Sequence, residues 1–295
     1  MSGYAHPAYA AALAAFGEPR SLSASGGWLL TSAIAGTPWS DGRGCYPLFC
    51  AAAWPNLKVD LESLPDLVSA VLVADPFGGH DPALLRDCFP DLCLPWKEHF
   101  LVDVENPVIA PHHARNIRKA GVEVEHCPQP MAFADDWLRL YALLVERHHI
   151  QGIAAFSPES LRLQLQVPGL VMFRAVREGE TVGMVLWYEQ GEVGYYHLAA
   201  YTDVAYQHHA SYALFDCAIR YFKGRLRWLN LGAGAGVSND GSDGLTRFKR
   251  GWASGTRTAW LCGRILQPDV YHNLVSARQI EGAGFFPLYR KGEIR

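Results

Sequence analysis

Three cations, Arg247, Lys249 and Arg250, crowd the run Gly244-Leu-Thr-Arg-Phe-Lys-Arg-Gly-Trp252, with no acid among them and with Phe248 and Trp252 alongside. Such a cluster suits an oxyanion, either a phosphate or a carboxylate. Just ahead of it an apolar strand, Leu229-Asn-Leu231, runs into Gly232, Gly234 and Gly236, glycines that let a backbone approach a ligand closely. Read alone, that loop imitates a dinucleotide or S-adenosylmethionine site. Too little chain follows Gly236 for that, because each further βαβ unit takes roughly 30 residues. Nor does a helix open after the last glycine, since Ser238 to Gly244 reads as loop. Gly232, Gly234, Gly236, Arg247 and Arg250 are therefore candidates for holding substrate.

The segment resembles the C-terminal signature of Fem-type aminoacyl and acyl transferases of the GNAT superfamily, a glycine-rich turn after a strand followed by a G-L-x-x-F-K-x-G-[FW]-like run. Gly244, Leu245, Phe248, Lys249, Gly251 and Trp252 match that run. The stretch His113-Ala-Arg-Asn-Ile-Arg-Lys-Ala120 is similar to the basic segment that opens the second GNAT-like unit in such proteins. Together the likeness covers roughly the C-terminal two thirds of the chain. In Fem-type enzymes the matching lysine is implicated in holding the anionic substrate near the reaction centre, so the resemblance makes Lys249 the leading candidate. Two departures stand out. Asn230 occupies a position where these transferases often carry an acid, and the R/Q-x-x-G-x-G/A pyrophosphate loop of ordinary acetyl-CoA enzymes has no clear counterpart.

The resemblance implies an α/β (α+β) fold of two tandem GNAT-like units, with mixed, mainly antiparallel sheets flanked by helices. Residues 1–110 would form a degenerate unit and 111–295 the acyltransferase unit, with 105–130 bridging them. It further implies that the fourth and fifth strands of the second unit splay apart to admit an acyl donor.

Acyl transfer to an amine needs a deprotonated nucleophile, donors for the carbonyl oxygen as it gains charge, and an acid for the leaving group. The strand Gly194-Tyr-Tyr-His-Leu-Ala-Ala-Tyr201 offers His197 as base, Tyr196 or Tyr201 as acid, and backbone amides from Leu198 to Ala200 as oxyanion donors. The residues that follow, Gln207, His208, His209, Ala210 and Ser211, open a helix, whose free N–H groups and positive dipole end suit a pyrophosphate. His112/His113, His148/His149 and His208/His209 do not make metal sites, because neighbours on a helix point about 100° apart. No metal is expected.

Hydrophobic periodicity supplies the elements around these residues. Trp137, Leu140, Tyr141, Leu144, Val145 and His148 trace one stripe of a helix beginning near Ala134, capped by Asp135 or Asp136, and Ser157-Pro158 starts a second. Strands follow at Leu170–Val176, Thr181–Glu189 and Glu192–Ala200, then a helix from Gln207 to Phe222, a strand at Leu226–Leu231, another at Thr256–Ile265 and a helix near Val270–Glu281. Upstream, the sequence predicts strands at Gly27–Thr31, Leu67–Ala74 and His99–Val104, and helices at Asn56–Leu64 and Pro82–Cys88. The basic stretch His112–Gly121 reads as helical, with Arg115, Arg118 and Lys119 sharing one side.

With 295 residues, 49% hydrophobic and 19% charged, the chain can bury a large core, and its net charge of -3 gives no global case for nucleic acid. Seven scattered cysteines fit reduced thiols in the cytoplasm. No signal peptide or membrane-spanning run is expected. What the resemblance implies is a transferase, with acyl-CoA the donor that the acidic net charge favours, aminoacyl-tRNA the alternative donor and a small-molecule or peptide amine as acceptor. A GNAT-shaped binding module without turnover is the third reading.

Overall fold

The computed structural model describes residues 1–234, 243–280, 282 and 284–293. Gly236 lies outside them. Packing divides the chain into two units, one made of Tyr4–Trp96 with Thr258–Arg295, the other of Lys97–Arg257 with Met1–Gly3. A boundary at residue 110 was expected; the packing boundary instead falls inside two strands, and the last forty or so residues return to the N-terminal unit.

The first unit begins with helix α1 (Pro7–Ala12), strands β1 (Glu18–Ser21), β2 (Trp28–Ala33) and β3 (Ser40–Gly44), helix α2 (Leu57–Glu62), strand β4 (Leu67–Ala74) and helix α3 (Pro82–Cys88). Strand β5 (Leu92–Asp103) starts here and carries the chain into the second unit. The short strands β1 and β3 were not foreseen, because Glu-Pro-Arg-Ser and Ser-Asp-Gly-Arg-Gly carry no apolar alternation. Their ladders to β2 define them.

The second unit continues with helix α4 (Pro111–Lys119), strand β6 (Glu123–His126), helices α5 (Ala134–His148) and α6 (Pro158–Gln164), strands β7 (Leu170–Arg177), β8 (Glu180–Gln190) and β9 (Val193–Tyr201), helices α7 (Asp203–Gln207) and α8 (Ala210–Phe222), strand β10 (Trp228–Asn230) and helix α9 (Gly244–Arg250). Strand β11 (Gly255–Ile265) leads back to the first unit, where helix α10 (Pro268–Ala277) follows. α6 starts as predicted, with Ser157 capping the Ser160 amide. α5 differs in detail: Asp135 and Asp136 lie in its first turn, and no side chain caps it. The predicted Gln207–Phe222 helix is two helices, broken where His209 takes a left-handed conformation.

Strands in the second unit run in the order β5-β10-β9-β8-β7-β6. Three antiparallel ladders join β6 to β9, whereas β10 lies parallel to β9 and antiparallel to β5. Leu214, Phe215, Ala218, Ile219 and Phe222 of α8 are buried against one face, among Val102, Phe173, Val185, Trp187 and Leu229. Each large apolar side chain so buried contributes roughly 1.5–3 kcal/mol. In the first unit the order is β1-β2-β3-β4-β11, over cores built on Phe49, Trp54 and Leu72 and on Val68, Tyr271 and Tyr289. Among the described residues no helix is long and apolar enough to cross a membrane.

Candidate functional site

Strand β10 is short, and its shortness opens the sheet. It pairs with β9 only at Val193, Gly194 and Tyr195, although β9 runs on to Tyr201. Beyond Asn230 the chain stays with β5, the Leu231 amide donating to the Phe100 carbonyl and the Phe100 amide to that of Gly232. In β9 the register against β8 shifts between Tyr196 and Leu198, a bulge at His197 that bends the strand. Residues 196–201 and 231–233 thus part company, forming the splayed strand pair that the resemblance implies.

Alternation decides which amides of β9 face the gap. Thr202 donates to the Val182 carbonyl, so the antiparallel period commits the amides of Ala200 and Leu198 to β8 and turns that of Ala199 away from it. The oxyanion donors were expected among the amides from Leu198 to Ala200; of these, that of Ala199 is the one turned toward the gap. On the α8 side β9 presents Tyr196, Ala199 and Tyr201.

Lys249 reaches into this gap. Asp243 caps α9, its carboxylate accepting from the Thr246 amide at 2.8 Å and from the Thr246 hydroxyl at 2.5 Å. The helix turns Thr246 and Lys249 inward, while Arg247 and Arg250 remain exposed. The Lys249 ammonium donates to the Ala233 carbonyl at 2.6 Å and lies 5.5 Å from the centre of the Tyr196 ring, so it touches both arms of the split. Two glycines permit this. Gly232 has φ +71, and a Cβ on Gly234 would stand 2.0 Å from the Thr246 hydroxyl.

Burial governs the electrostatics. Lys249 is 5% exposed, and loss of hydration pulls its pKa down to about 7, with Lys97 lowering it further and Asp243 opposing both. Lys97, also buried, is lowered by burial against the pull of Asp243. His99 is pushed down to about 4, first by burial and then by the charge on Lys249. Its Nδ1 lies 3.0 Å from Asn230 Oδ1, which also accepts from the Gly232 amide at 2.9 Å. The Asn230 Nδ2 group is buried and, among the described residues, without a hydrogen-bond partner. Leaving such a donor unpaired costs about 1–3 kcal/mol. Lys97, His99 and Asn230 were not among the expected site residues; only the absence of an acid at 230 hinted at them.

The remaining expected residues divide. Burial raises the Tyr196 and Tyr201 phenols, so both stay protonated near neutrality. His197 stands apart. It is buried against Tyr188 with Nε2 2.8 Å from Gln164 Oε1, and burial alone lowers its pKa to about 3. Its neighbours are residues of α6 and β8, while those of Tyr196 are Trp187 and Phe215. Gln207 is exposed, and His208 and His209 are half-buried where α8 begins; Ala210 and Ser211 form its first turn. No side chain caps that turn. Gly121 donates to the His208 carbonyl at 3.2 Å, which ties the end of the basic helix α4 to this corner.

No family model matches the sequence, and no curated protein is similar to it by sequence. Solved structures do match. A structure of FemX aligns over 83% of this chain and 86% of its own, with a TM-score of 0.60 at 12% identity. The C-terminal domain of a putative lysylphosphatidylglycerol synthetase from Agrobacterium fabrum covers 97% of this chain and 95% of its own, with a TM-score of 0.59 at 13% identity. L-PGS from Bacillus licheniformis covers 96% and 99%, with a TM-score of 0.59 at 15% identity. The chain has a GNAT-like fold, similar to that of FemX. At these identities the likeness is one of fold.

Proposed function

We propose that this protein is an acyltransferase that moves an acyl or aminoacyl group from an activated ester or thioester onto an amine. The observation that carries the reading is the gap between β9 and residues 231–233 with the Lys249 ammonium lodged in it. The amine attacks the acyl carbon, a C–N bond forms, and the bond to the leaving sulfur or oxygen breaks, that atom taking up a proton. The Ala199 amide faces the gap from the β9 side, where a carbonyl oxygen gains charge. Tyr196, kept protonated by burial, supplies a proton to the leaving group and takes back the one that the attacking nitrogen sheds. Lys249 holds an anionic part of the substrate, the role that the family resemblance assigns to it.

Acyl-CoA is one donor, its pyrophosphate taken by the uncapped first turn of α8 at Ala210 and Ser211 with Gln207, His208 and His209 beside it. An aminoacyl-tRNA donor is favoured by a separate observation, the likeness to FemX and to two structures named for lysylphosphatidylglycerol synthesis. Arg115, Arg118 and Lys119, exposed on α4 near the His208 corner, give a polyanion a landing surface. Thermal shifts with acetyl-CoA, longer acyl-CoAs and free CoA, and filter binding of aminoacyl-tRNA at two salt concentrations, separate the two. A CoA donor at a hundredfold excess over Kd raises stability by about 2.7 kcal/mol. A tRNA donor shows binding that falls steeply with salt. Silence in both assays would leave a GNAT-shaped binding module.

A further inference from the structure

The Asn230 side chain is oriented by a partner that can only donate. Because the Gly232 amide bonds to it at 2.9 Å, the acceptor atom must be the carbonyl oxygen, and the NH2 group must point the other way. His99 Nδ1, 3.0 Å from the same oxygen, must then carry a proton, and with the pKa pushed down to about 4 the ring is the neutral Nδ1–H tautomer near pH 7. Two donors, one 131 residues away along the chain and one only two, thus lock one amide, and among the described residues its two N–H bonds remain unspent at 2% exposure. Gly232, which makes one of those locks, is also the residue whose Cβ would stand 3.4 Å from the Lys249 ammonium. Lys97 is buried on the same strand as His99, two residues before it and so on the same face of β5. Two buried ammonium groups, both feeling the Asp243 carboxylate, and an amide donor with no partner among the described residues make a cluster rich in donors.

We infer that Asn230 Nδ2 is a ligand-binding donor that, with Lys249, takes an oxyanion of the acceptor substrate, and that His99 is the positioning residue that aims it. The amine acceptor is therefore one that carries a carboxylate or a phosphate near the amine. An acid at position 230 would repel that group, so asparagine in place of the acid common in Fem-type proteins changes the site from charge-neutralising to anion-accepting. Assigning the oxyanion to the acceptor rests on the transferase reading; the existence of the anion site does not.

The test is therefore a binding experiment on the full chain without any donor. Side-chain NH2 resonances of 15N-labelled protein are followed while acetate, inorganic phosphate or chloride is added at matched ionic strength, the Asn230 pair being identified by its loss in Asn230→Ser and Asn230→Asp. A saturable shift of that pair with acetate assigns a carboxylate acceptor, and one with phosphate a phosphorylated acceptor. In transfer assays Asn230→Asp then raises KM for the acceptor by about tenfold or more and leaves that of the donor within about twofold. His99→Gln weakens the same response, while its conservative partner His99→Asn, which can still donate to Asn230, retains more of it. Acetate and phosphate moving the Asn230 pair no more than chloride does would overturn the proposal on the wild-type chain alone, whether or not the variants fold. A response to anions with no transfer from any donor would keep the anion site and remove the acyltransferase reading.

Discussion

Both units bury a cluster of charged and polar side chains, and the two clusters are finished differently. In the first unit Tyr289 donates to Asp41 at 2.9 Å and accepts from Ser69 at 2.8 Å, while Arg290 grips both Asp41 oxygens at 2.9 Å. Arg278 and Arg290 both reach Glu293, and Arg278 also bonds the Tyr289 carbonyl at 2.7 Å. Every bond there has an answering group of opposite kind. In the second unit Lys97 and Lys249 both feel the Asp243 carboxylate, and the Asn230 amide donor has no partner among the described residues. A closed network fastens the chain; an open one, held at a cost in stability, is where a ligand completes the bonding.

The sharpest way to break this contrast is Lys249→Met. Removing the ammonium should reduce transfer by about 10²-fold or more in kcat/KM, measured with whichever donor the binding assays select. The same variant should raise Tm, since it replaces a buried cation by an apolar chain of similar length. Unchanged transfer, or a fall in Tm, would place Lys249 in the closed class with Arg290.

The mirror experiment, Arg290→Met, should do the reverse. It strands the Asp41 carboxylate in the interior of the first unit and costs about 3–5 kcal/mol of stability. Activity per folded molecule should stay near that of wild type, because the network lies in the other unit. Denaturant unfolding and active-site titration on the same sample separate the two effects.

How much of this contrast the sequence discloses depends on distance along the chain. Helix α5 appears at Ala134–His148 as the spacing of Trp137, Leu140 and Tyr141 requires, and the three strands β7, β8 and β9 fall within a residue or two of their predicted spans. Local period suffices for those. The strand β10 is shorter than Leu226–Leu231 because only Trp228–Asn230 finds ladder partners on both sides, and ladder partners are distant in sequence. Lys249 is singled out by the motif around it, yet its burial depends on Tyr196 and Ala233, and the lock on Asn230 depends on His99. His197 illustrates the opposite case. A histidine in a tyrosine-rich strand reads as a base, and only the fold shows Gln164 meeting it.

A smaller effect follows from the Lys249 pKa of about 7. Between that value and the ordinary lysine range the unfolded chain binds a proton that the folded chain does not, so stability rises with pH across that window. Anion binding runs the other way, weakening as Lys249 loses its charge above about 7. Wild type should therefore show KM for the acceptor rising, and Tm rising, over the same interval. Lys249→Met should remove the Lys249 contribution to both trends. Parallel trends in wild type and variant would assign the titration to another group.

The smallest effect should come from His197→Gln, and it tests the comparison within the second unit itself. His197 and Lys249 are both buried and both depressed by burial, but His197 has Gln164 Oε1 at 2.8 Å, whereas Lys249 bonds a backbone carbonyl and lies over a ring face. With a pKa of about 3 the imidazole is neutral at any working pH, and so weak a base gains little from a positioned amine. Glutamine keeps an N–H for Gln164 while removing the ring that packs on Tyr188 at 4.6 Å. Stability should fall by about 1–3 kcal/mol from lost packing, transfer should change by less than about tenfold, and the pH profile should keep its shape. A larger loss of kcat with an altered acid limb would make His197 a proton carrier after all, and would mean that the bulge it occupies opens toward the gap during turnover.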